Sequence, residues 1–523
     1  MIKVSPFVMV IFGATGDLTS RKLMPALFHL TQQGYLPDRF FIVGFARRNF
    51  TKEQFRQMMK EAVEKVLRLK IKDSSQDLKI WKQIENNLYY QQGYFEEKSP
   101  YDNLIPLLSS FDKETGSCIT RFFYLATPPS NYSIILKNLE ETELAEGCGS
   151  PFASTSAKDS AGEKASGDKQ GFTRKWTRVL IEKPFGKDLN EAKNLEEQLA
   201  KTFEERQIYR IDHYLAKETV RNILAFRFAN TVEAIWNRDF IDHVQITLSE
   251  SSGIGNRGKF YEGMGALKDV VQNHLMAMLA YTAMEEPLSM TAQHTRDKRV
   301  EVLDKIRCMT EEDVLSNAVR GQYGAGIING KSIDGYRQEK NVSPDSLNET
   351  FVALKLYIDN SRWQDVPFYL RTGKRLNQDF TKIDIFFKNR DSRLFKQFQI
   401  GNQAANIISI RIQPKEGITF RFFAKSPGFT YDLSTVNMDF SYSTAFKKEI
   451  IDSYEKILID SMMADQTLFA TAKGFSATWE FITSVISGWE KQTLPVFPNY
   501  KAGSTGPVEA DAMIERDGRK WMF

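Results

Sequence analysis

Along the N-terminal part of the chain, apolar residues gather into short continuous runs. Further on they alternate with polar ones. Phe7–Phe12, with β-branched Val8, Val10 and Ile11, predicts a strand buried on both faces, as in a parallel sheet. Gly13-Ala14-Thr15-Gly16-Asp17-Leu18 breaks the run; Leu23, Ala26, Leu27 and Leu30 then share a helical face, and Gly34 ends that helix. Phe40–Gly44, Leu88–Tyr90, Arg121–Ala126 and Thr177–Ile181 read as further strands. Charged helical stretches run from Thr51 to about Lys82 and from Leu189 to about Glu205. Strands and helices in alternation predict a doubly wound α/β sheet. Residues 149–171, rich in Ser, Ala, Gly and Lys, predict a flexible insertion on its rim.

Beyond Phe240 the period changes. Val244–Leu248 alternates strictly, as do parts of Phe351–Ile358, Lys382–Phe387, Ile407–Ile412 and Ile418–Phe422. Alternation predicts one buried and one wet face, hence a mainly antiparallel sheet. Leu267–Met284 is the clearest helix of this part. The expectation is an α/β domain over residues 1–195 and a larger α+β domain over 196–523, joined near residues 186 to 205.

Composition narrows the partners. The 70 basic and 66 acidic residues leave a formal charge of +4, so nothing general favours nucleic acid or a membrane surface. Three widely spaced cysteines, Cys118, Cys148 and Cys308, make neither a metal spacing nor a disulfide framework, which predicts a reducing compartment. With no cleavage signal and no apolar run of membrane-spanning length, a cytoplasmic protein is expected.

Four stretches carry candidate chemistry. The Gly13–Leu18 turn lies between a strand and a helix, where glycines let the backbone approach a pyrophosphate. Its spacing is G-x-x-G-x-x-T, which an ordinary strand-to-helix turn would also fit. Arg47 and Arg48 follow the second strand, where arginine suits the 2′-phosphate of NADP and an acidic residue would suit NAD. Together with the Gly turn they point to NADP. Glu182-Lys183-Pro184-Phe185-Gly186 places a lysine at a strand's C-terminal end, where open sheets bind ligands, before a bond that can be cis.

Arg210–Glu218 packs two cations, two carboxylates, an imidazole and a phenol into nine residues. It suits a small anionic, hydroxyl-rich ligand: Lys217 as point charge, His213 and Tyr214 as directional donors, Asp212 to orient an imidazole from elsewhere. A solvated loop with local charge pairs fits the same residues. His274 lies on the Leu267–Met284 helix, with Val270 one turn before it, Met278 one turn after, and polar Asp269, Gln272 and Asn273 beside it. It is either a core histidine or a base kept neutral by partial burial. No zinc motif, Walker loop or nucleophile elbow occurs, and no metal is expected.

Gly13–Leu18, Glu182–Gly186, Arg210–Glu218 and Gln272–Leu275, in this order, resemble the glucose-6-phosphate dehydrogenase family, and Arg227–Asn230, Ile235–Asp239 and Leu370–Lys374 match it too. The resemblance runs from about Val8 to Gly506-Pro507, nearly the whole chain. It implies a Rossmann-like first domain and oxidation of D-glucose 6-phosphate at C1 to 6-phospho-D-glucono-1,5-lactone, with NADP as coenzyme, as the first step of the oxidative pentose phosphate pathway. It implies that His274 is the base and that Asp212 orients it. It implies substrate contacts at Lys183, His213, Tyr214, Lys217, Glu250, Asp269, Lys374 and Gln413. Coenzyme contacts would be Gly13, Thr15, Gly16, Asp17, Leu18, Arg47, Tyr132 and Lys183. A homodimer, or a dimer of dimers, through the antiparallel sheet is implied as well.

The chain departs from the family pattern at Ala216, where glycine is usual, at Thr19, where a smaller residue is usual, and at Asp379, where members often carry a second basic substrate contact. Lys382 is the candidate to compensate for Asp379. The rivals are another two-domain NADP-dependent sugar dehydrogenase and a non-catalytic NADP-binding sensor.

Arg47→Ala is expected to raise the KM for NADP far more than that for NAD, on the order of 10- to 100-fold, since a lost charged contact costs about 1.5–3 kcal/mol. Steady-state kinetics with both coenzymes decides; equal effects on the two would remove Arg47 from the 2′-phosphate.

Overall fold

The structure is a computed structural model and describes residues 4–147, 177–389, 393–394, 406–446, 451–493 and 495–523. The insertion expected at 149–171 lies outside them. The chain forms two compact units: Met1–Gly186 with Asn190–His213 and Asp452–Ala472, and Lys187–Leu189 with Tyr214–Ile451 and Lys473–Phe523.

The first unit is built on a six-stranded parallel sheet of β1 (Phe7–Phe12), β2 (Phe40–Ala46), β3 (Leu88–Gln92), β4 (Thr120–Leu125), β5 (Thr177–Glu182) and β6 (Ile208–Ile211), in the order β3-β2-β1-β4-β5-β6. β1 lies between β2 and β4, Val8 pairing with both Phe41 and Arg121, and all six of its residues are buried. That position explains the continuous apolar run. Amphipathic helices cover the sheet. The one over Lys52–Leu67 buries Phe55, Met59 and Val63 and begins at a capping box, in which Thr51 Oγ1 accepts from the Gln54 N–H and Gln54 Oε1 accepts from the Thr51 N–H.

A boundary near residue 195 would cut the helix Leu189–Thr202, and the unit in fact continues to His213. The physical reason is β6, which completes the sheet by pairing Ile181 with Arg210 and Glu182 with Ile211. A segment from far along the chain also belongs here. Its helix Ser453–Met462 sets Glu455 Oε1 2.8 Å from His29 Nδ1, and Arg178 Nη1 donates to the carbonyl of Met462 at 2.9 Å. Gln466 Nε2 donates to the carbonyls of Glu205 and Ile208, both at 3.0 Å.

The second unit carries an eight-stranded sheet. Its strands run in the order Leu433–Ser441, Gly417–Lys425, Ile407–Gln413, Phe380–Phe387, Ile241–Ser249, Phe368–Gly373, Phe351–Leu356 and Ala318–Gly321. All neighbours are antiparallel except Ile241–Ser249 with Phe368–Gly373. The alternating stretches are strands, but in the middle of the sheet their polar face is not wet. Gln245 and Thr247 are buried. The chain's last residues satisfy the first of them: Gln245 Nε2 donates to the Lys520 carbonyl at 2.8 Å, and Gln245 Oε1 accepts from the Met522 N–H at 2.9 Å. A polar residue that a distant backbone segment will satisfy looks, in sequence, like one that faces water.

Two further outcomes bear on expectations. Cys118 is disulfide-bonded, whereas Cys308 is free and exposed. The absence of any disulfide therefore does not hold at Cys118, because spacing along a chain does not limit what folding brings together. Among the described residues, no helix is long and apolar enough to cross a membrane.

Candidate active site

The strand order reverses between β1 and β4, and the turn after β1 lies at that switch point, where doubly wound sheets bind nucleotides. Gly13 has φ +88°, its N–H donates to the Phe45 carbonyl at 2.9 Å, and a Cβ there would stand 2.4 Å from the Ala126 carbonyl oxygen. Only glycine fits, because the Ala126 carbonyl fills the space that a side chain would take. Gly16 N–H donates to the Gly13 carbonyl at 2.9 Å; Thr15, Gly16 and Leu18 are half-buried, and Asp17 is exposed. The following helix opens with wide, π-type turns over Thr19–Leu23. Thr19 is fully buried with no partner for its hydroxyl, so the larger residue at this family position accompanies a locally widened helix.

Arg47 and Arg48 are exposed. Their backbone is tied down from β3: Tyr90 Oη donates to the carbonyls of Ala46 (3.1 Å) and Arg48, and Gln92 Nε2 donates to that of Arg47 (3.2 Å). A glycine turn at the switch point and exposed cations on a fixed loop fit a nucleotide that carries phosphate at both places.

At the C-terminal end of β5 the Lys183-Pro184 bond is cis. Tyr132 is buried, and its hydroxyl donates to the Glu182 carbonyl at 2.7 Å, so this coenzyme candidate braces the strand end. Tyr124 Oη donates to Glu182 Oε1 at 2.6 Å, and Tyr454 hydrogen-bonds the same carboxyl. Burial pushes the Glu182 carboxyl up to about 7; the two phenols and the Lys183 charge oppose the shift, and the Asp212 charge adds to it. Tyr454 also lies over His213, with ring centroids 6.4 Å apart and planes 15° apart. Lys183, Asp212 and His213 thus gather around Glu182 and Tyr454 in the first unit.

The nine-residue stretch is where the chain passes from one unit to the other, His213 ending a segment of the first and Tyr214 beginning one of the second. Its arginine is structural: Arg210 is fully buried and held by Glu196 and Glu205. Ala216 is buried outside the left-handed backbone region, so alanine is accommodated where glycine is usual. Lys217 stands just before the helix Glu218–Phe228, with no side-chain cap bond, and its charge opposes the upward shift that burial gives Glu416.

In the second unit the ring of Tyr214 lies 4.3 Å from the imidazole of His274, inclined by 40°, and Gln413 Nε2 donates to Tyr214 Oη at 3.3 Å. His274 is 3% exposed. It sits in a wide-turned π-type helix, Leu267–Leu275, which continues as the α-helix Met276–Ala283. With i→i+5 bonding, residues five apart turn toward one face, so Asp269 joins His274 more closely than the 3.6-residue spacing through Val270 implies. Asn273 Nδ2 reinforces this turn by donating to the Lys268 carbonyl at 3.1 Å.

Lys374 is buried and ion-paired with Glu250, and its carbonyl accepts from Tyr500 Oη at 2.8 Å. The charges of Asp269 and Glu250 both act on Tyr261, whose phenol burial already raises well above its ordinary value. Asp379 accepts from the Ser251 N–H (2.6 Å) and hydroxyl (2.5 Å). Lys382, the candidate to compensate for Asp379, lies 3.0 Å from Asp384. Sequence reasoning missed the parts played by Glu182, Tyr124, Tyr454 and Tyr261. Only Glu182 lay inside a recognised motif, and its neighbour Tyr454 is too far along the chain to leave a local signal.

A doubly wound sheet with a glycine cradle at its switch point and arginines after the second strand defines a nicotinamide-nucleotide oxidoreductase. The comparisons with known proteins narrow this. Residues 10–222 match the family model for the NAD binding domain of glucose-6-phosphate dehydrogenase, and 224–522 match its C-terminal domain. Glucose-6-phosphate 1-dehydrogenase of Chlamydia pneumoniae is 44% identical over 519 residues, covering 99% of this chain and 96% of the relative. A solved glucose-6-phosphate dehydrogenase in complex with glucose 6-phosphate superposes with a TM-score of 0.84 at 32% identity, covering 99% of this chain and 98% of that one. The Mycobacterium avium glucose-6-phosphate 1-dehydrogenase gives 0.78 at 31%, again over 99% and 98% of the two chains. The chain belongs to the glucose-6-phosphate dehydrogenase family.

The raised Glu182 pKa has a definite sign. Folding holds the carboxyl near 7 instead of its ordinary 4.5, so its charged form costs stability in full above pH 7, and that cost disappears as pH falls toward 4.5. Glu182→Gln, neutral throughout, is expected to gain stability relative to wild type at pH 8 and to lose that advantage by about pH 5. Thermal melts of both proteins from pH 5 to 8 check this; a gap that does not change with pH would show that Glu182 does not titrate in this range.

Proposed function

We infer that the chain oxidises D-glucose 6-phosphate at C1 to 6-phospho-D-glucono-1,5-lactone, with the enzyme in the cytoplasm. The Gly13 turn would hold NADP+, which would supply the hydride acceptor. One observation carries the reading: the buried imidazole of His274 meets Tyr214 of the nine-residue stretch at 4.3 Å. The base candidate and a phosphate candidate are thereby neighbours within one unit.

His274 takes the proton of the C1 hydroxyl while C1 gives up its hydrogen with both bonding electrons. The oxygen's growing negative charge drives that departure and becomes the lactone carbonyl, and the proton remains on the imidazole. Asp212 orients the ring and stabilises its protonated form. Lys217, His213 and Tyr214 bind the phosphate of the substrate: a point charge and two directional donors suit a tetrahedral dianion. Glu250, Asp269, Lys374 and Gln413 bind sugar hydroxyls and phosphate, and Lys183 serves both substrate and coenzyme. Gly13, Thr15, Gly16, Asp17 and Leu18 line the coenzyme cradle, Arg47 reads the 2′-phosphate, and Tyr132 acts through the strand end it braces.

The enzyme works as a homodimer through its outer strands. Phe420 pairs with Met438 and Phe422 with Val436, so these four side chains share one face at the sheet's edge. Met438 is 61% exposed and Val436 37%. An apolar stripe on an edge pair is a surface that a second copy would cover. Met438→Lys is expected to shift sedimentation velocity toward the monomer; an unchanged dimer would move the interface elsewhere.

His213 and His274 are expected to fail differently. His274→Ala should bind glucose 6-phosphate much as before but lose about 10²–10⁴ in kcat, the usual worth of a general base. His213→Ala should keep most of its kcat and show a raised KM, and its penalty should shrink with unphosphorylated glucose. Steady-state kinetics of both variants on both sugars decides. Near-normal kcat in His274→Ala, or a His213→Ala equally impaired on glucose, contradicts the assignment.

A further inference from the structure

The helix that carries His274 begins at a point where the chain leaves little freedom. The backbone carbonyl of Glu349 accepts from the Ala266 N–H at 3.1 Å, and its side-chain Oε1 accepts from the Leu267 N–H at 3.0 Å. Two of the otherwise unpaired amides at a helix start are thus taken by one residue. Gly265, with φ +67°, makes room for this: a Cβ there would stand 2.1 Å from Glu349 Oε1 and 2.6 Å from Oε2.

Glu349 is itself anchored on the sheet. The next residue, Thr350, donates its N–H to the Gly321 carbonyl at 2.7 Å and accepts the Lys374 N–H at 2.9 Å, and the strand Phe351–Leu356 follows directly. The wide-turned segment runs unbroken from Leu267 to Leu275. A rotation at its first turn is therefore passed on to Asp269 and His274. Burial also pushes the Glu349 carboxyl above the ordinary range, against the pull of the Leu267 N–H and the charges of Lys268 and Arg320. A side chain that only filled space would have no reason to carry that penalty.

We propose that Glu349 is a positioning residue for His274, fixing from the sheet the start of the helix that aims the imidazole. This rests on His274 being the base. The test compares Glu349→Leu, similar in size but without an acceptor, with Glu349→Gln, which keeps an oxygen for the Leu267 N–H, and with His274→Ala and the double variant His274→Ala/Glu349→Leu.

Misplacing a catalytic group by about 1 Å can cost on the order of 100-fold. Glu349→Leu is accordingly expected to lose about tenfold or more in kcat, with KM for NADP within about twofold, while Glu349→Gln stays within about threefold of wild type. Amide hydrogen exchange over residues 266–274 should rise in Glu349→Leu and not over the strand Phe368–Gly373. The double variant should be no slower than His274→Ala.

Wild-type kcat in Glu349→Leu beside an inactive His274→Ala overturns the positioning role and leaves the base standing. Unchanged exchange over 266–274, or losses that multiply in the double variant, overturn it as well. Near-wild-type kcat in His274→Ala instead removes the base assignment, and this role with it. If Glu349→Leu does not fold, Glu349→Asp, whose carboxylate is one methylene short of the Leu267 N–H, replaces it; a wild-type kcat there overturns the proposal.

Discussion

A fully buried guanidinium holds the first unit's candidate residues in place. Arg210 cannot be neutralised by giving up a proton, so its burial requires carboxylates, and Glu196 and Glu205 supply them. Those pairs fix β6 at the edge of the sheet. The backbone of the same residue forms a bridge with Ala470, which ties in the late segment that carries Tyr454. Asp212 and His213 follow directly. Without the ion pairs an uncompensated buried charge would stand in the strand from which Asp212 and His213 follow.

Much of this was legible in the chain. The continuous runs at Phe7–Phe12 and Arg121–Ala126 are strands of a parallel sheet, and the Gly13 turn stands at its switch point, because burial on two faces and a missing Cβ both leave local marks. What was not legible depends on partners far away in sequence. Gln245 looked like a residue facing water until Lys520 and Met522 came to meet it. Arg210 was legible only as one of two cations in the nine-residue stretch, and its enclosure by Glu196 and Glu205 came from the fold. The candidate residues themselves came from motifs; their surroundings at Glu182 and Tyr454 came only from the fold.

The wide turns are the other feature that a period of 3.6 hides. They occur after the glycine cradle at Thr19–Leu23 and around His274 at Leu267–Leu275. In both places the extra residue per turn re-aims side chains without ending the helix, and in both it lies where chemistry is expected. The two wide segments are held differently. One buries a hydroxyl without a partner, at Thr19; the other is reinforced by the side-chain amide of Asn273 and clasped by Glu349.

The return of Asp452–Ala472 to the first unit also has a consequence for biogenesis. During synthesis, the residues up to His213 leave the ribosome without the helix that packs on them, and the whole of Tyr214–Ile451 must be made first. At about 5–20 residues per second, that interval is on the order of 10–50 s. Throughout it, the surface that will receive Ser453–Met462 stands open and Arg178 lacks the carbonyls it will bond. The nucleotide-binding half is therefore not a self-sufficient early domain. It is a nascent-chain intermediate with a gap, in need of protection from aggregation and unsuited to being cut out as a stand-alone module.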